Sequence, residues 1–298
     1  GFTIVESDGS TEVAESGTTD TFTVVLDAQP ASDVVLTITS DDTGEATVTS
    51  TLTFTSANWD TPQTVTVAGV DESIIDGDQT STITVTIDDA NSDNNFDSVA
   101  DQTISATTTD DDVPGFTIVE SDGSTSVDES GTTDTFTIVL DAQPASDVVL
   151  TISSNDTGET TTTGTLTFTS ANWDTAQTVT VTGADDFILD GNQSSVITIS
   201  IIDAISDNSF DSVADQTVSA TTTDDDVAGF TIVESDGSTE VAESGTTDTF
   251  TVVLDAQPTS DVVLTITSGD TGEATVNSPL TFTPANWDTP QTITVTGV

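Results

Sequence analysis

An eleven-residue string, GFTIVESDGST, begins at Gly1, again at Gly115 and again at Gly229, so the chain repeats with a period of 114 residues. A period of that length directs the chain into a row of like units, each burying its own core, rather than into one domain. Residues 229–298 align with residues 1–70, and seven of the seventy positions differ, among them Ala31 against Thr259 and Asp41 against Gly269. The expected organisation is a first repeat at 1–114, a second at 115–228 and a partial third at 229–298 lacking the C-terminal strands. A window cut from a longer array is expected to look like this, whereas a self-sufficient enzyme is not.

Within a repeat, short runs rich in Thr, Val and Ile alternate with clusters of Gly, Asp, Asn, Ser and Pro. Period-2 patterning with such punctuation predicts an all-β fold: tandem immunoglobulin-like antiparallel β-sandwiches, as beads on a string. Strands are expected at Phe2 to Val5, Thr19 to Leu26, Asp33 to Thr39, Thr51 to Thr55, Gln63 to Val67, Thr80 to Ile87 and Gln102 to Thr108. In Thr80 to Ile87, the apolar Ile83, Val85 and Ile87 share one face and Thr82, Thr84 and Thr86 the other. No segment carries apolar residues at helical spacing, so helix is expected to be minor, and Ser56 to Thr61 reads as a turn between strands. Trp59, Trp173 and Trp287 recur in LTFT-x-ANWDT segments. They are expected to plug the sandwich rather than to stack on sugar, as are Phe2, Phe22, Phe54 and Phe96 and their copies.

The charge is the next constraint. Fifty-three acidic residues face no Lys, Arg or His, giving a formal charge of −53. Nothing in the chain can neutralise phosphate, which excludes nucleic acid as a partner and disfavours an anionic membrane surface. No apolar run approaches the length of a transmembrane helix, and Gly1 starts directly in repeat sequence, so any export signal is expected to be specified elsewhere or removed. With no internal cation, the carboxylates must be dispersed in water or neutralised by bound metal ions.

The missing residue types close off whole chemistries. Without Cys there is no disulfide, thiolate nucleophile or zinc–thiolate site, and without His or Lys the commonest general base and the Schiff-base nucleophile are gone. Absence of Lys also rules out intramolecular isopeptide crosslinks, and a chain without Lys or Arg gives trypsin-like proteases nothing to cut. These absences suit a long life outside the cell. Paired carboxylates can hydrolyse glycosides, but the same site copied in every repeat is not how an enzyme is built, so no catalytic residue is assigned.

Many of the acids read as a solubility coat, but three groups are too local for that. They are Glu15 within Val13 to Gly17, the loop from Asp71 and Glu72 through Asp76 and Asp78, and the triplet Asp110, Asp111 and Asp112. An Asp/Glu-only set matches calcium, which takes about six to eight oxygen ligands in flexible geometry; magnesium prefers more water, and transition metals want His or Cys. The triplet lies just before Val113, Pro114 and the next repeat, so a cation there would tie the linker to the loops at the domain end. Without a cation, clustered charge would loosen the joint.

Three stretches carry a family resemblance: VAES-G-TTDTFTVVLD at the start, NWDTPQTVTVAGVDES in the middle and ITVTID…TTTDDD at the end. Across the whole repeat the chain resembles the Calx-beta domain, an immunoglobulin-like calcium-binding sandwich found in ion-exchanger regulatory regions and in many large bacterial surface proteins. The resemblance implies calcium ligands at Glu15, Asp71, Glu72, Asp110, Asp111 and Asp112. In the second copy the matching positions are Glu129, Asp185, Asp186, Asp224, Asp225 and Asp226. Asp78 becomes Asn192 there, which argues against that position as an essential charged ligand. The third copy keeps Glu243 and ends before the loop and the triplet.

The functional expectation is a repeat region of a secreted extracellular fibre or filament, with calcium stiffening the joints and copies of the same chain as partners. The alternative is the extender region of a bacterial surface adhesin; a calcium-sensing module is a weaker third. Open sheet edges in the partial repeat invite pairing, so its missing strands come either from a neighbouring molecule or from further chain. Ser- and Thr-rich runs such as Thr160 to Thr163 are candidate glycan sites, but threonine is also the ordinary residue of an exposed strand face. The sequons at Asn155 and Asn192 occur in the second repeat alone, and the regular T-x-T pattern lies on too many separate strands to suggest ice binding.

Overall fold

In the computed structural model, which describes residues 1–298, alternation along each strand sets the layers. The first repeat contains β1 (Phe2–Glu6), β2 (Thr11–Ala14), β3 (Thr19–Leu26), β4 (Val34–Ser40), β5 (Ala46–Val48), β6 (Thr51–Phe54), β7 (Gln63–Gly69), β8 (Gln79–Ile87) and β9 (Gln102–Thr109). One sheet has the order β1-β3-β7-β5 and the other β2-β9-β8-β4-β6. The second repeat reproduces both sheets strand for strand, from Phe116–Glu120 to Gln216–Thr223. The chain is therefore all-β, a tandem of immunoglobulin-like sandwiches, and its only helical pieces are short 3-10 turns such as Asp89–Asn91. No helix is long and apolar enough to cross a membrane.

The expected strands fall where the alternation placed them, to within two residues at either end. Ile83, Val85 and Ile87 of β8 point inward and are buried beside Leu36 and Ile38 of β4, in the register Leu36↔Ile87 and Ile38↔Val85. Phe22, Val24, Val65 and Val67 close the core from the other sheet, and Phe2, Phe54 and Phe96 are buried in the same cluster. Each such side chain contributes about 1.5–3 kcal/mol on full burial. Trp59 packs half-buried against this cluster, and its carbonyl accepts the Leu26 N–H at 3.2 Å, so it holds the turn to the sheet.

Two corrections follow. Sequence patterning misses β2 and β5, which are three or four residues long and carry one Val each, too short for an alternation to show. Nor is the sandwich wholly antiparallel: β2 lies parallel to β9, from Thr11↔Ala106 to Ala14↔Thr109. This pairing brings the start of the repeat beside its end. The third repeat keeps the β1-β3-β7-β5 type of sheet as Phe230–Glu234, Thr247–Leu254, Gln291–Gly297 and Ala274–Val276. Opposite it stand only Val262–Leu264 and Leu280–Phe282, and the copy of β2 is not a strand because its parallel partner is absent.

Candidate metal centre

The site forms at the end of the sandwich where β2 and β9 finish together. Glu15 follows β2, and its N–H donates to the Thr109 carbonyl at 3.2 Å, so the backbone pairing carries on one residue past the strand. β7 approaches so closely there that a Cβ on Gly69 would stand 2.1 Å from the Ala14 carbonyl oxygen. Only glycine allows that contact, and Gly183 makes the same approach to Asp128 in the second repeat. The result is a glutamate with 0% exposure at the mouth of the core.

Neither carboxylate oxygen of Glu15 has a hydrogen-bond partner, and Glu45 Oε2 and Asp112 Oδ2 are buried without one as well. The second repeat repeats the pattern with Glu129 Oε2, Glu159 Oε2 and Asp226 Oδ2. A buried, unpaired carboxylate costs far more than a paired one. The opposite end of the same sandwich shows what satisfaction looks like. There Asp93, 5% exposed, accepts the N–H groups of Ala31 at 2.6 Å, Ser32 at 3.1 Å and Asn95 at 3.0 Å. Those donors hold its pKa below the usual carboxylate value.

Glu15 goes the other way. Burial, and then the negative charge of Asp110, Glu45, Glu72 and Asp76, push its pKa up to about 7, and the same combination brings Glu129 to about 7. Glu45, Glu72 and Asp112 are also raised, first by burial and then by their acidic neighbours. Glu159 and Asp226 follow in the second repeat.

These acids form two groups that share one glutamate. Glu15, Asp110 and Asp112 offer oxygens all within 4.8 Å of one another, and so do Glu15, Glu45 and Glu72. In the second repeat the groups are Glu129 with Asp224 and Asp226, and Glu129 with Glu159 and Asp190. Of the positions that the resemblance implies, Glu15, Glu72, Asp110 and Asp112 thus come together, while Asp71 and Asp111 are exposed and join neither group. In the second copy Glu129, Asp224 and Asp226 come together; Asp185 and Asp225 are exposed, and Asp186 is half-buried beside them. Sequence reasoning overlooked Glu45 and Glu159. They follow the turns Asp42–Gly44 and Asp156–Gly158 and read as ordinary turn acids, although Glu45 recurs at Glu159 and Glu273 in phase with the repeat.

Hydrogen bonds fix the triplet in place. Asp110 accepts the Gly77 N–H at 2.8 Å on one oxygen and the Asp112 N–H at 2.8 Å on the other. The Asp110 N–H donates to Asp78 Oδ1, and in the second repeat the Asp224 N–H donates to Asn192 Oδ1. Position 78 therefore serves as a hydrogen-bond acceptor, a role that an asparagine oxygen can also fill. The donor set is carboxylate oxygen throughout, with buried oxygens of Glu15, Glu45 and Asp112 left without partners, and it suits a hard divalent cation of the calcium type.

No family model matches this chain, and no curated protein matches it. Solved structures resemble it weakly. The calcium binding domain CBD12 of CALX1.1 is 13% identical with a TM-score of 0.28, covering 66% of this chain and 80% of that one. Domains 4 and 5 of the S-layer protein SbsC are 15% identical with a TM-score of 0.31, covering 75% and 98%. The apo-form Calx CBD1 domain is 13% identical with a TM-score of 0.28, covering 37% and 98%. Likenesses this low say nothing of function, so the acidic site has to carry the functional argument.

Proposed function

We propose that this chain belongs to the repeat region of a secreted, extracellular fibre or filament protein, a structural array in which calcium binds at the end of each complete sandwich and stiffens the joint to the next. The observation that carries this is Glu15. A glutamate with 0% exposure, no partner on either oxygen and four acidic neighbours is an expensive arrangement, and the second repeat has its counterpart in Glu129, 1% exposed, with Oε2 unpartnered and four acidic neighbours of its own. A bound divalent cation converts that repulsion into coordination. Glu15, Glu45, Glu72, Asp110 and Asp112 would hold it in the first repeat, and Glu129, Glu159, Asp190, Asp224 and Asp226 in the second.

Titration calorimetry with calcium on the 298-residue chain tests the reading. Saturable binding to both complete repeats, with a rise in melting temperature that a chelator abolishes, is expected. Heats no larger than those of dilution would end it. A second reading, the extender of a surface adhesin, draws on the fact that the contacts between repeats run along one chain and need no neighbour. Imaging the native material separates the two: thick filaments support the fibre, and thin single-file strings support the extender.

A further inference from the structure

The loop that supplies Glu72 also makes the contact between repeats. Between Glu72 and Asp76, residues Ser73, Ile74 and Ile75 leave their own sandwich and dock on the far end of the next. The Gln143 N–H donates to the Ser73 carbonyl at 2.6 Å, the Ile75 N–H donates to the Gln143 carbonyl at 3.3 Å, and Ile74 pairs with Gln143 in a parallel bridge. Ile75 then packs against the core of the second repeat.

The second joint has the same construction with different side chains. The Gln257 N–H donates to the Phe187 carbonyl at 2.6 Å, the Leu189 N–H donates to the Gln257 carbonyl at 3.0 Å, and the Phe187 ring lies 6.0 Å from that of Trp287. Ala142 and Ala256, beside the two glutamines, are 0% and 6% exposed, whereas the equivalent Ala28 of the first repeat, with no loop upon it, is exposed. Docking of the loop is therefore what covers this corner.

We propose that Asp71–Asp78 and its copy Asp185–Asn192 are cation-set latches, in which ion binding on one side of the loop and docking of its Ser73–Ile75 or Phe187–Leu189 centre on the next repeat form one coupled equilibrium. The proposal rests on the cation reading above and adds a route by which the ion acts on the neighbouring domain. Glu72 sits among Glu15, Glu45, Asp76 and Asp112, and in the absence of a cation outward movement of the loop would relieve that repulsion. Moving outward withdraws Ile75 and both backbone hydrogen bonds. A cation reverses the balance, and by reciprocity a docked loop raises the affinity for the ion by the same factor that the ion raises docking.

The absence of cysteine from the chain makes the test direct. Spin labels at Thr51→Cys and Thr165→Cys, both exposed strand positions on neighbouring repeats, report the distance distribution across the first joint. It should be narrow in calcium and broad in chelator. In a Glu129→Gln background, which leaves the first repeat's site to dominate calorimetry, Ile75→Ser should broaden the distribution even in calcium and weaken calcium binding about tenfold. Should Ile75→Ser perturb the second core, Leu189→Ser in a Glu15→Gln background repeats the affinity measurement at the second joint, where the side chain is already 37% exposed. Calcium binding with an unchanged distance distribution, or an affinity indifferent to both serine variants, overturns the latch and leaves the cation site standing. No calcium binding at all overturns both.

Discussion

Phe2 and Val13 are 2% and 3% exposed, whereas their copies Phe230 and Val241 are 51% exposed and half-buried, although residues 1–70 and 229–298 differ at seven positions. Glu15 is fully buried and its copy Glu243 is exposed. The local sequence around both, VAESG, is identical, so it is neither the strand nor the turn that makes the buried carboxylate. What the first two repeats have and residues 229–298 lack is the equivalent of Asp71–Pro114: the loop, β8, β9 and the aspartate triplet. That segment covers one face of the core and closes the end over the glutamate. The full core and the acidic site are thus completed by the same 44 residues (114 − 70), and a repeat without them keeps its four-stranded sheet, buries a small cluster of Val252, Leu254, Leu280, Phe282 and Ile293, and leaves its glutamate exposed.

The largest expected consequence concerns local stability. Phe230, Ile232, Phe250 and Ile266 line an open groove in the third repeat, whereas β8 covers the matching surface in the first. Amide hydrogen exchange followed by mass spectrometry should show Val262–Leu264 exchanging at least about a thousandfold faster than β4, since an edge with few buried contacts opens at far lower cost than a central strand. Joining a copy of residues 71–114 after Val298 should restore protection to the level of β4. Equal protection of the two strands in the 298-residue chain would mean that β8 is not what stabilises β4.

Next in size is the effect of pH. Glu15 and Glu129 have pKa values near 7 in the fold against about 4.5 ordinarily, so between those values the metal-free folded state holds protons that the unfolded chain releases. The contribution of these two glutamates is fully present at and below about pH 4.5 and is lost as pH rises to 7, by up to about 3 kcal/mol for each. In chelator the complete repeats should melt at a lower temperature at pH 8 than at pH 5. Calcium should reverse the order, because the cation competes with protons for the same oxygens. Glu15→Gln removes the charge without the volume; in chelator at pH 8 it should raise the melting temperature of the first repeat by about 10 °C. Glu243→Gln, at the exposed copy, should leave melting unchanged. A rise of similar size from both substitutions would show that general charge reduction is responsible rather than burial at a closed site.

Much of this was legible in the sequence, and the exceptions have physical reasons. The long strands declare themselves because Ile83, Val85 and Ile87 alternate with threonines, and the triplet declares itself because three adjacent aspartates need a neutralising partner. β2 does not, because a four-residue strand held by a parallel partner nearly a hundred residues away leaves no local period to detect. Glu45 hides in a turn of ordinary composition, and its burial comes from tertiary packing near β9, where Thr108 Oγ1 donates to its carbonyl. The contact between repeats was visible in principle: Ile74 and Ile75 are an apolar pair stranded among acids, and the second repeat keeps the apolar character as Phe187, Ile188 and Leu189. Apolar residues in an otherwise charged loop signal that the loop is covered by something, but not by which domain.

The smallest expected effect separates the two complete repeats from one another. Asp78 and Asn192 occupy the same position, and each accepts the N–H of the first aspartate of its triplet, Asp110 at 3.3 Å and Asp224 at 3.4 Å. If the acceptor oxygen is all that this position contributes, Asp78→Asn makes the first repeat like the second and should change its calcium affinity by less than about threefold, the residue of a long-range charge term in a screened, exposed place. Asp78→Ala removes the acceptor and should weaken binding more than Asp78→Asn does, because the Asp110 backbone then loses the contact that orients both of its carboxylate oxygens toward Gly77 and Asp112. Calorimetry on the two variants, each in a Glu129→Gln background, decides the matter. A loss with asparagine as large as the loss with alanine would make the charge at position 78 the operative feature, and the first repeat would then bind calcium by a ligand set that the second does not possess.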